Sequence, residues 1–479
     1  MNLKKQALAG VKWTFLQQVG MQGIRFIISV ILARILAPQE FGLIAMIAVF
    51  IAIGNTLLNA GLGSSLIRSK DVDEKDYSTV FYFNLIASIL IYILIYFLAP
   101  YIAKFYRQDI LTSLIRWYSL IFIINAFSMI QLTRLTKLMN FKTQTLVSIP
   151  SLLIGGFVGV YMAYKGYGVW SLIGYYLTQA LANGIMLWIY SQWKPLWVFD
   201  KEKFKKHFHF GYKLTISGLL DTVFNNIYNI VIGKFFPLAQ VGYYQRAQSL
   251  QMYPVGIIGS IMGKVTYPLF AQIQDDNKRL KGIYKKILQL NIFILAPTLI
   301  IAGVLAVPLF RFLFTEKWLP AVPYFQILLI TGILYPIHSF NLNILNVKGR
   351  SDLFLRLEIV KKVLIALVIA FTLHYGIYGL LWGSVFTSIA AFFINTHYSG
   401  KFIQYTALEQ VKDILPILSI AVVSALPVYF MQQYVQNYIS SDFLILVIGG
   451  LTGGLIFVFL SYIFKLDSLL ELSKIAQRR

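Results

Sequence analysis

The stretch QQVGMQGIRFIISVILAR, residues 17–34, lies inside an apolar run at 13–36 that is long enough to cross a lipid bilayer. Arg25 stands in the middle of this run, and Gln18 and Gln22 precede it. A cation at the bilayer centre costs about 2.5–3.5 kcal/mol on insertion scales. The stretch therefore predicts a membrane-spanning helix whose polar stripe faces water, an acidic partner or an anionic ligand.

The composition of the whole chain agrees with this first span. Of 479 residues, 58% are hydrophobic and only 13% are charged, so lipid must be the solvent for most of the surface. The net charge of +23 comes from lysines and arginines that fall between long apolar runs, which favours a membrane partner over nucleic acid. The chain has no cysteine, which excludes disulfides, iron–sulfur clusters and thiolate zinc sites.

Histidine offers little for a metal site. His207 and His209 flank Phe208 in a basic segment, and a solvated loop is the favoured interpretation over a two-ligand metal site. The basic N-terminal segment followed by an apolar run is interpreted as an uncleaved first span, because the run is too long for a signal peptide and contains Arg25.

Fourteen apolar runs are long enough to span a membrane. They lie at about 13–36, 41–67, 79–103, 110–133, 146–165, 168–191, 211–234, 241–270, 287–309, 322–346, 357–374, 376–396, 414–434 and 442–464. Basic residues concentrate in alternate connections, at 4–12, 68–75, 134–142, 201–206, 278–286 and 348–350. By the positive-inside rule both termini are predicted to be cytoplasmic. The largest connection, 192–210, is predicted to be a basic cytoplasmic loop, too short for a catalytic domain.

The chain contains an internal repeat. GVKWT at 10–14 returns as GYKLT at 211–215, and the Pro turn APQEFGL at 37–43 returns as FPLAQVGY at 236–243. Gly42 and Gly242 are thus 200 residues apart. A repeat of six spans keeps both copies in the same orientation, related by an axis along the membrane normal. The prediction is an all-α polytopic membrane protein of about 14 transmembrane helices, with two pseudo-symmetric six-helix bundles at 1–200 and 201–400. Two additional helices and a cytoplasmic tail follow at 401–479.

The corresponding first spans of both repeats carry polar faces. At 100° per residue Gln18, Gln22, Arg25 and Ser29 fall on one stripe of the first span. On the seventh span Asp221, Asn225 and Tyr228 share a face with Ser217, and Asn229 lies at its margin. Polar faces on equivalent helices are expected if both line a central cavity. Hydrogen bonding to neighbouring helices is the alternative, and it is weakest for Arg25 and Asp221 because they are charged.

Three further residues are candidates for the same cavity. Gln245 and Arg246 lie near the outer start of the eighth span, and Arg116 lies one to two turns into the fourth span. Both arginines have the alternative of reaching the outer headgroups along their own aliphatic stems.

The motifs resemble those of a known family. LARILAPQEFGLIAMIAVFIAIGNTLLNAGLGSSLIRS at 32–69 and GYYQRAQSL at 242–250, with the YP that follows, resemble bacterial polysaccharide exporters of the Wzx type, in the multidrug/oligosaccharidyl-lipid/polysaccharide (MOP) flippase superfamily. The likeness spans nearly the whole chain and is strongest to the branch of colanic-acid and lipopolysaccharide exporters. It implies a V-shaped, MATE/MOP-like pair of bundles around a cationic cavity. It also implies that a polyprenyl-diphosphate-linked oligosaccharide moves from the inner to the outer leaflet of the bacterial inner membrane.

The resemblance implies roles for the candidate residues. Arg25, with Arg246 and Arg116, is expected to hold the diphosphate, and glutamine and asparagine side chains are expected to bind sugar hydroxyls. The amides are Gln18, Gln22, Asn225, Asn229 and Gln245. Asp221 is expected to pair with an arginine in the empty state or to couple transport to an ion. We expect no catalytic residue, metal or bound cofactor, and coupling to a Na⁺ or H⁺ gradient is left open.

The expected partners are the lipid-linked oligosaccharide and membrane lipids, with a glycan polymerase and its chain-length machinery as further candidates and no nucleic acid. Two other functions stay open at this point. One is a cation-coupled multidrug exporter of the same superfamily, which should favour acidic cavity groups. The other is a membrane polymerase or ligase acting on the lipid-linked glycan, which usually needs a longer outer loop.

Overall fold

The computed structural model describes residues 3–59, 61–435 and 438–477. The side chains of 3–12, 14–16, 260–265 and 473–477 lie outside this description. Every regular element of the described chain is a helix, so the predicted all-α class is confirmed. Packing separates the chain into two compact units, 1–245 and 246–479, which are described in turn. The predicted division at 200 and 400 rests on the internal repeat and stays a prediction.

The first unit contains the helices up to the start of the eighth predicted span. They are α1 (Leu3–Ile35), α2 (Pro38–Asn59), α3 (Leu62–Arg68), α4 (Glu74–Tyr106), α5 (Ile110–Tyr118), α6 (Leu120–Lys137), α7 (Phe141–Tyr164), α8 (Trp170–Ser191), α9 (Lys201–Asn225), α10 (Ile227–Phe235) and the first turns of α11 (Leu238–Gln272). α7 packs on α1 and α8, whereas α9 and α10 pack on α2.

The second unit continues α11 and adds eight α-helices. They are α12 (Asn277–Val304), α13 (Ala306–Phe314), α14 (Val322–Val347), α15 (Ser351–Thr372), α16 (Gly376–Ile403), α17 (Ala407–Val435), α18 (Asp442–Ile463) and α19 (Asp467–Gln477). Its main core forms where α12, α14, α16 and α17 meet, around Phe270, Tyr284, Phe340 and Tyr405.

Eleven segments of the described chain are long and apolar enough to cross a membrane. One of them, Ser351–Ile403, contains two helices, α15 and α16. The segments 201–235 and 238–272 are not among these eleven candidate spans. They carry many of the polar candidates, including Asp221, Asn225 and Arg246. The protein is therefore a multi-pass membrane protein, and the count of about fourteen spans remains a prediction.

Two sequence-based assignments around residue 210 are wrong. Residues 201–210 are not a loop but the first turns of α9, which begins where the Asp200 side chain accepts hydrogen bonds from the backbone N–H groups of Glu202 and Lys203. His207 is consequently a helical residue, and it is fully buried rather than solvated. The seventh predicted span is also not one helix, because a turn at Asn226 separates α9 from α10.

The two repeat glycines face each other across the start of α2 and α11. A Cβ atom on Gly42 would lie 2.4 Å from the carbonyl oxygen of Leu238, and one on Gly242 would lie 2.0 Å from that of Pro38. Each glycine is the fifth residue of its helix, so the contact is reciprocal. Only glycine permits this approach, because any side chain would collide with backbone. The equivalence that the repeat predicts for Gly42 and Gly242 is matched by their geometry.

Candidate functional site

Arg25 extends from an exposed face of α1. α1 packs on α7 through Ile28, which lies against Gly156, and through Gln17, whose Nε2 donates to Ser148 Oγ at 3.3 Å. Gln18 and Arg25 are exposed, and Gln22 is half-buried. The guanidinium thus lies on a surface that protein does not cover, near the middle of a membrane helix. Such a position requires water or an anion, because hydrocarbon solvates a cation poorly.

The polar residues of α9 and α10 do not share one face. Asp221 and Asn225 are exposed on α9, whereas Asn229 on α10 is buried. The turn at Asn226 causes the split, since it interrupts the 100° periodicity on which the sequence prediction relied. The Asn226 side chain donates to the carbonyl of Thr222 at 2.8 Å, and the Thr222 hydroxyl lies 2.9 Å from that of Thr56 on α2. These bonds hold the end of α9 against α2.

Arg116 lies in an aromatic pocket between α4 and α5. Its Nε donates to the carbonyl of Tyr96 at 3.3 Å, and its guanidinium lies 4.1 Å from the centre of the Tyr96 ring. Ser113, Thr112 and Asp109 complete the polar lining of this space of about 610 Å³. The aromatic ring already engages part of the cation, which leaves the outer guanidinium nitrogens to contact a ligand.

Arg246 occupies a different setting in the second unit. Its side chain is 5% exposed, and its guanidinium carbon lies 4.9 Å from the Phe314 ring and 5.1 Å from the Trp318 ring. Both rings are themselves buried. These two rings contact the guanidinium, so Arg246 packs into the interior of the second unit. Gln245 precedes it and is half-buried at the end of the first unit.

Two of the predicted amides have buried oxygens without a hydrogen-bond donor among the described residues. They are Oδ1 of Asn229 and Oε1 of Gln245. Buried polar atoms are normally satisfied, so each exception calls for an explanation such as a water or a ligand hydroxyl.

A buried charge network at the basic end of the first unit was missed by the sequence analysis. Asp76 on α4 is 1% exposed, and its carboxylate contacts His207 Nε2 at 3.0 Å and Lys203 Nζ at 2.8 Å. The other histidine nitrogen, Nδ1, lies 2.7 Å from Ser65 Oγ on α3, and Lys203 also reaches Asp73 at 2.9 Å. We call these five residues the ionic clamp. It joins α3, α4 and α9.

The ionic clamp explains the shifted pKa values nearby. The hydrogen bond from Lys203 holds the pKa of Asp73 well below its usual range, with help from the backbone N–H of Asp76. The same pairing, with Asp76 first, raises the pKa of Lys203. The available sequence signals were the acidic residues 73 and 76 at capping-box spacing and the i, i+4 spacing of Lys203 and His207. They went unused because 192–210 was assigned as a loop.

No group of three or more histidine and acidic residues that could hold a metal ion occurs in the described part of the chain. The polar candidates instead fall into three settings. Exposed groups lie on α1 and α9, an arginine lies in the α4–α5 pocket, and Arg246 lies between aromatic rings. An arginine and nearby amides on exposed faces can bind phosphate and hydroxyl groups without covalent chemistry.

The chain is similar to proteins of polysaccharide assembly. A family model described as "Polysaccharide biosynthesis protein" matches residues 31–323. The teichuronic acid biosynthesis protein TuaB of Bacillus subtilis is 28% identical over 357 residues, which are 74% of this chain and 73% of that protein. The lipopolysaccharide biosynthesis protein WzxC of Escherichia coli is 24% identical over 366 residues, 76% of this chain and 74% of that protein. The resemblance to the Wzx type is thereby confirmed.

The fold is that of a solved flippase. The inward closed conformation of the lipid II flippase MurJ superposes with a TM-score of 0.73 over 95% of this chain and 98% of that one, at 15% sequence identity. At this identity the likeness establishes the fold alone. It confirms the predicted fold class of an all-α, MATE/MOP-like membrane protein.

Proposed function

Because the chain belongs to the family of polysaccharide biosynthesis proteins, we propose that it is a flippase for a polyprenyl-diphosphate-linked oligosaccharide. The protein acts as a transporter by alternating access, and it makes or breaks no covalent bond. The diphosphate and glycan cross the membrane in a water-accessible cavity, while the polyprenyl chain stays in lipid. The substrate class is supported by the relatives, whose names refer to teichuronic acid and lipopolysaccharide biosynthesis.

The observation that carries this proposal is the exposed guanidinium of Arg25 near the centre of Gln17–Ile35, the spanning part of α1. A diphosphate offers paired oxygens that match the two parallel N–H groups of one guanidinium. Charge-assisted hydrogen bonds of this kind contribute about 1.5–3 kcal/mol each. Gln22 and Gln18 lie one and two turns away on the same stripe and are placed to bind the sugars next to the diphosphate.

The remaining candidates take roles that their settings support. Asn225 and Asp221 are exposed on α9 and contact the head group directly, Asp221 also serving as the counter-ion of an arginine when the cavity is empty. Arg116 binds an anion at the outer end of the first unit. Arg246, Gln245 and Asn229 are buried or half-buried and reach substrate only in another conformation.

The orientation and organisation also belong to this proposal. The basic connections face the cytoplasm and put both termini there, in a bacterial inner membrane. The repeat supports bundles at 1–200 and 201–400, with 401–479 as an addition. A glycan polymerase and its chain-length machinery are proposed as partners that receive the exported repeat unit.

Arg25 provides the test of this function. In a deletion strain complemented at equal protein level, we expect Arg25→Ala to lower surface glycan at least about tenfold, because it removes a bond worth about 1.5–3 kcal/mol. Arg25→Lys should retain part of the export, since it keeps the charge but not the paired donors. Arg34→Ala is the matched control, an exposed arginine on the same helix nearer its end. If Arg25→Ala exports glycan at the wild-type level, Arg25 has no role in the mechanism and the proposal is contradicted.

A further inference from the structure

A groove between α15 and α16 has features that the transport cycle does not use. It has a volume of about 650 Å³ and is lined mainly by apolar side chains, among them Ile359, Val360 and Phe393. α15 is sparsely packed, with only Leu353, Leu357 and Ile369 buried along its length. The exposed remainder of this helix includes Ile359 and Val360, each at least half exposed. In a membrane protein such a surface is covered by a lipid chain.

The polar lining of the groove lies at one end. Arg356 is the sixth residue of α15, and His397 lies six residues before the end of α16. A short connection joins α15 and α16, so their axes run in opposite directions and these two residues lie at the same end. At 1.5 Å per residue both lie about 7–9 Å inside the helix ends, near the boundary between headgroups and acyl chains. Tyr398 lies beside His397, and Ile359, Val360 and Phe393 lie about one turn deeper.

The cation at this end is available for a ligand. Arg356 is exposed, and no carboxylate of the described residues forms an ion pair with it. Its basic neighbours are already engaged, since Arg350 makes a double hydrogen bond to Asp352 and Lys361 pairs with Glu358. A guanidinium above an apolar groove complements a phosphate with an acyl chain attached. Arg356, His397 and Tyr398 are too few to satisfy the hydroxyls of an oligosaccharide.

We propose that the α15–α16 groove is a binding site for one anionic glycerophospholipid of the leaflet at the basic helix ends. The phosphate contacts Arg356, the glycerol region lies near His397 and Tyr398, and one acyl chain follows Val360 and Phe393. The site requires only the groove and the membrane, so it stands apart from the proposed transport function.

Native mass spectrometry of the purified full-length protein tests the proposal, with phosphatidylglycerol and phosphatidylcholine of identical acyl chains as probes. For the first bound lipid we expect phosphatidylglycerol to bind about tenfold more tightly than phosphatidylcholine. This difference corresponds to one charge-assisted hydrogen bond between Arg356 and the anionic lipid. Arg356→Gln should abolish this difference, and Arg356→Lys should keep most of it. Arg279→Gln is the matched control, because Arg279 is also exposed near the start of a helix at a basic end but does not line the groove.

A second variant tests the apolar part of the site. Val360→Trp should fill the groove and weaken both lipids about equally, leaving the headgroup preference of the residual binding unchanged. Two results would overturn the assignment. One is a phosphatidylglycerol preference that survives in Arg356→Gln. The other is displacement of phosphatidylglycerol by an equimolar polyprenyl diphosphate, which would show that the groove binds the polyprenyl carrier lipid instead.

Discussion

The two units join the basic ends of their helices with different chemistry. The first uses the ionic clamp, in which buried Asp76 and His207 are linked to Lys203. In the second, the ion pairs Lys281–Glu409 and Lys285–Asp413 are partly exposed, and the buried side chains that join the helices are neutral. The Asn341 side chain accepts a hydrogen bond from Ser399 Oγ at 2.6 Å and contacts Thr396 and Gln410. We call Asn341, Thr396, Ser399 and Gln410 the amide clamp. All four are buried, and they join α14, α16 and α17.

Of these two buried connections, the ionic clamp depends on charge and the amide clamp does not. A carboxylate loses its charge in acid, and a lysine or histidine depends on that charge for its attraction. Amides and hydroxyls do not titrate between pH 2 and 12, so the amide clamp keeps its strength. The ionic clamp holds the start of α9, so the buried contacts at this end of the first unit are the ones that weaken in acid.

Removal of Asp76 should have the largest effect. Asp76→Ala leaves Lys203 and His207 without their common acceptor, and losing one partner of a buried pair costs about 3–5 kcal/mol. We expect this decrease in the free energy of unfolding measured in mixed micelles. Asp71→Ala, an exposed acidic residue of the same connection, is the control and should change little. Equal effects of both variants would mean that the ionic clamp contributes no stability.

Removal of Asn341 should have an intermediate effect. Asn341→Leu keeps the volume but leaves Ser399 and Gln410 with unsatisfied groups, which costs about 1–3 kcal/mol. Asn343→Leu on the same helix is the control, because Asn343 is half-buried and outside the clamp. The comparison between units fails if Asn341→Leu destabilises the protein more than Asp76→Ala does.

Acid should distinguish the clamps more directly. The pKa of Asp73 is depressed by Lys203, so its contribution is present above the unfolded pKa of about 3.9 and is lost as the pH falls below it. We expect the unfolding free energy to fall as the pH is lowered from 5 to 3, with the same slope in Asn341→Leu. Lys203→Met should make the unfolding free energy depend less on pH in this range, because Asp73 then loses the partner that lowers its pKa. An unchanged slope in Lys203→Met would show that the acid sensitivity arises elsewhere.

A matched pair of serines should give the smallest effects. Ser65→Ala removes the contact with His207 Nδ1, and Ser399→Ala removes the bond to Asn341 Oδ1. Each is one buried hydrogen bond, so each should cost about 1 kcal/mol at neutral pH in the same unfolding assay. Values that differ by more than about twofold would show that the serines are not equivalent parts of their clamps.

The sequence was sufficient for the membrane class. Apolar runs of spanning length are a local property, so composition and hydropathy find them without tertiary information. Gly42 and Gly242 could be paired from their spacing, and their reciprocal contact agrees with that pairing. The polar stripe of α1 that contains Arg25 could likewise be located from helical spacing.

Other features depended on contacts that no local pattern encodes. The turn at Asn226 separates Asn229 from the face of Asp221, and a periodicity that assumes a continuous helix cannot anticipate it. Arg246 was a candidate like Arg25, yet its guanidinium contacts the rings of Phe314 and Trp318, which lie 68 and 72 positions later in the chain. The basic segment at 201–206 was assigned to solvent, and the buried acceptor for Lys203 lies more than 120 residues earlier.

The amino-acid sequence by itself determined that this chain is helical, crosses a membrane many times and carries an arginine inside its first span, because lipid imposes its requirements on each helix separately. Tertiary structure alone decided which charged side chains are exposed and which are enclosed. That outcome depends on the partners that distant segments supply, and a buried charge is stable only where such a partner or an aromatic surface meets it.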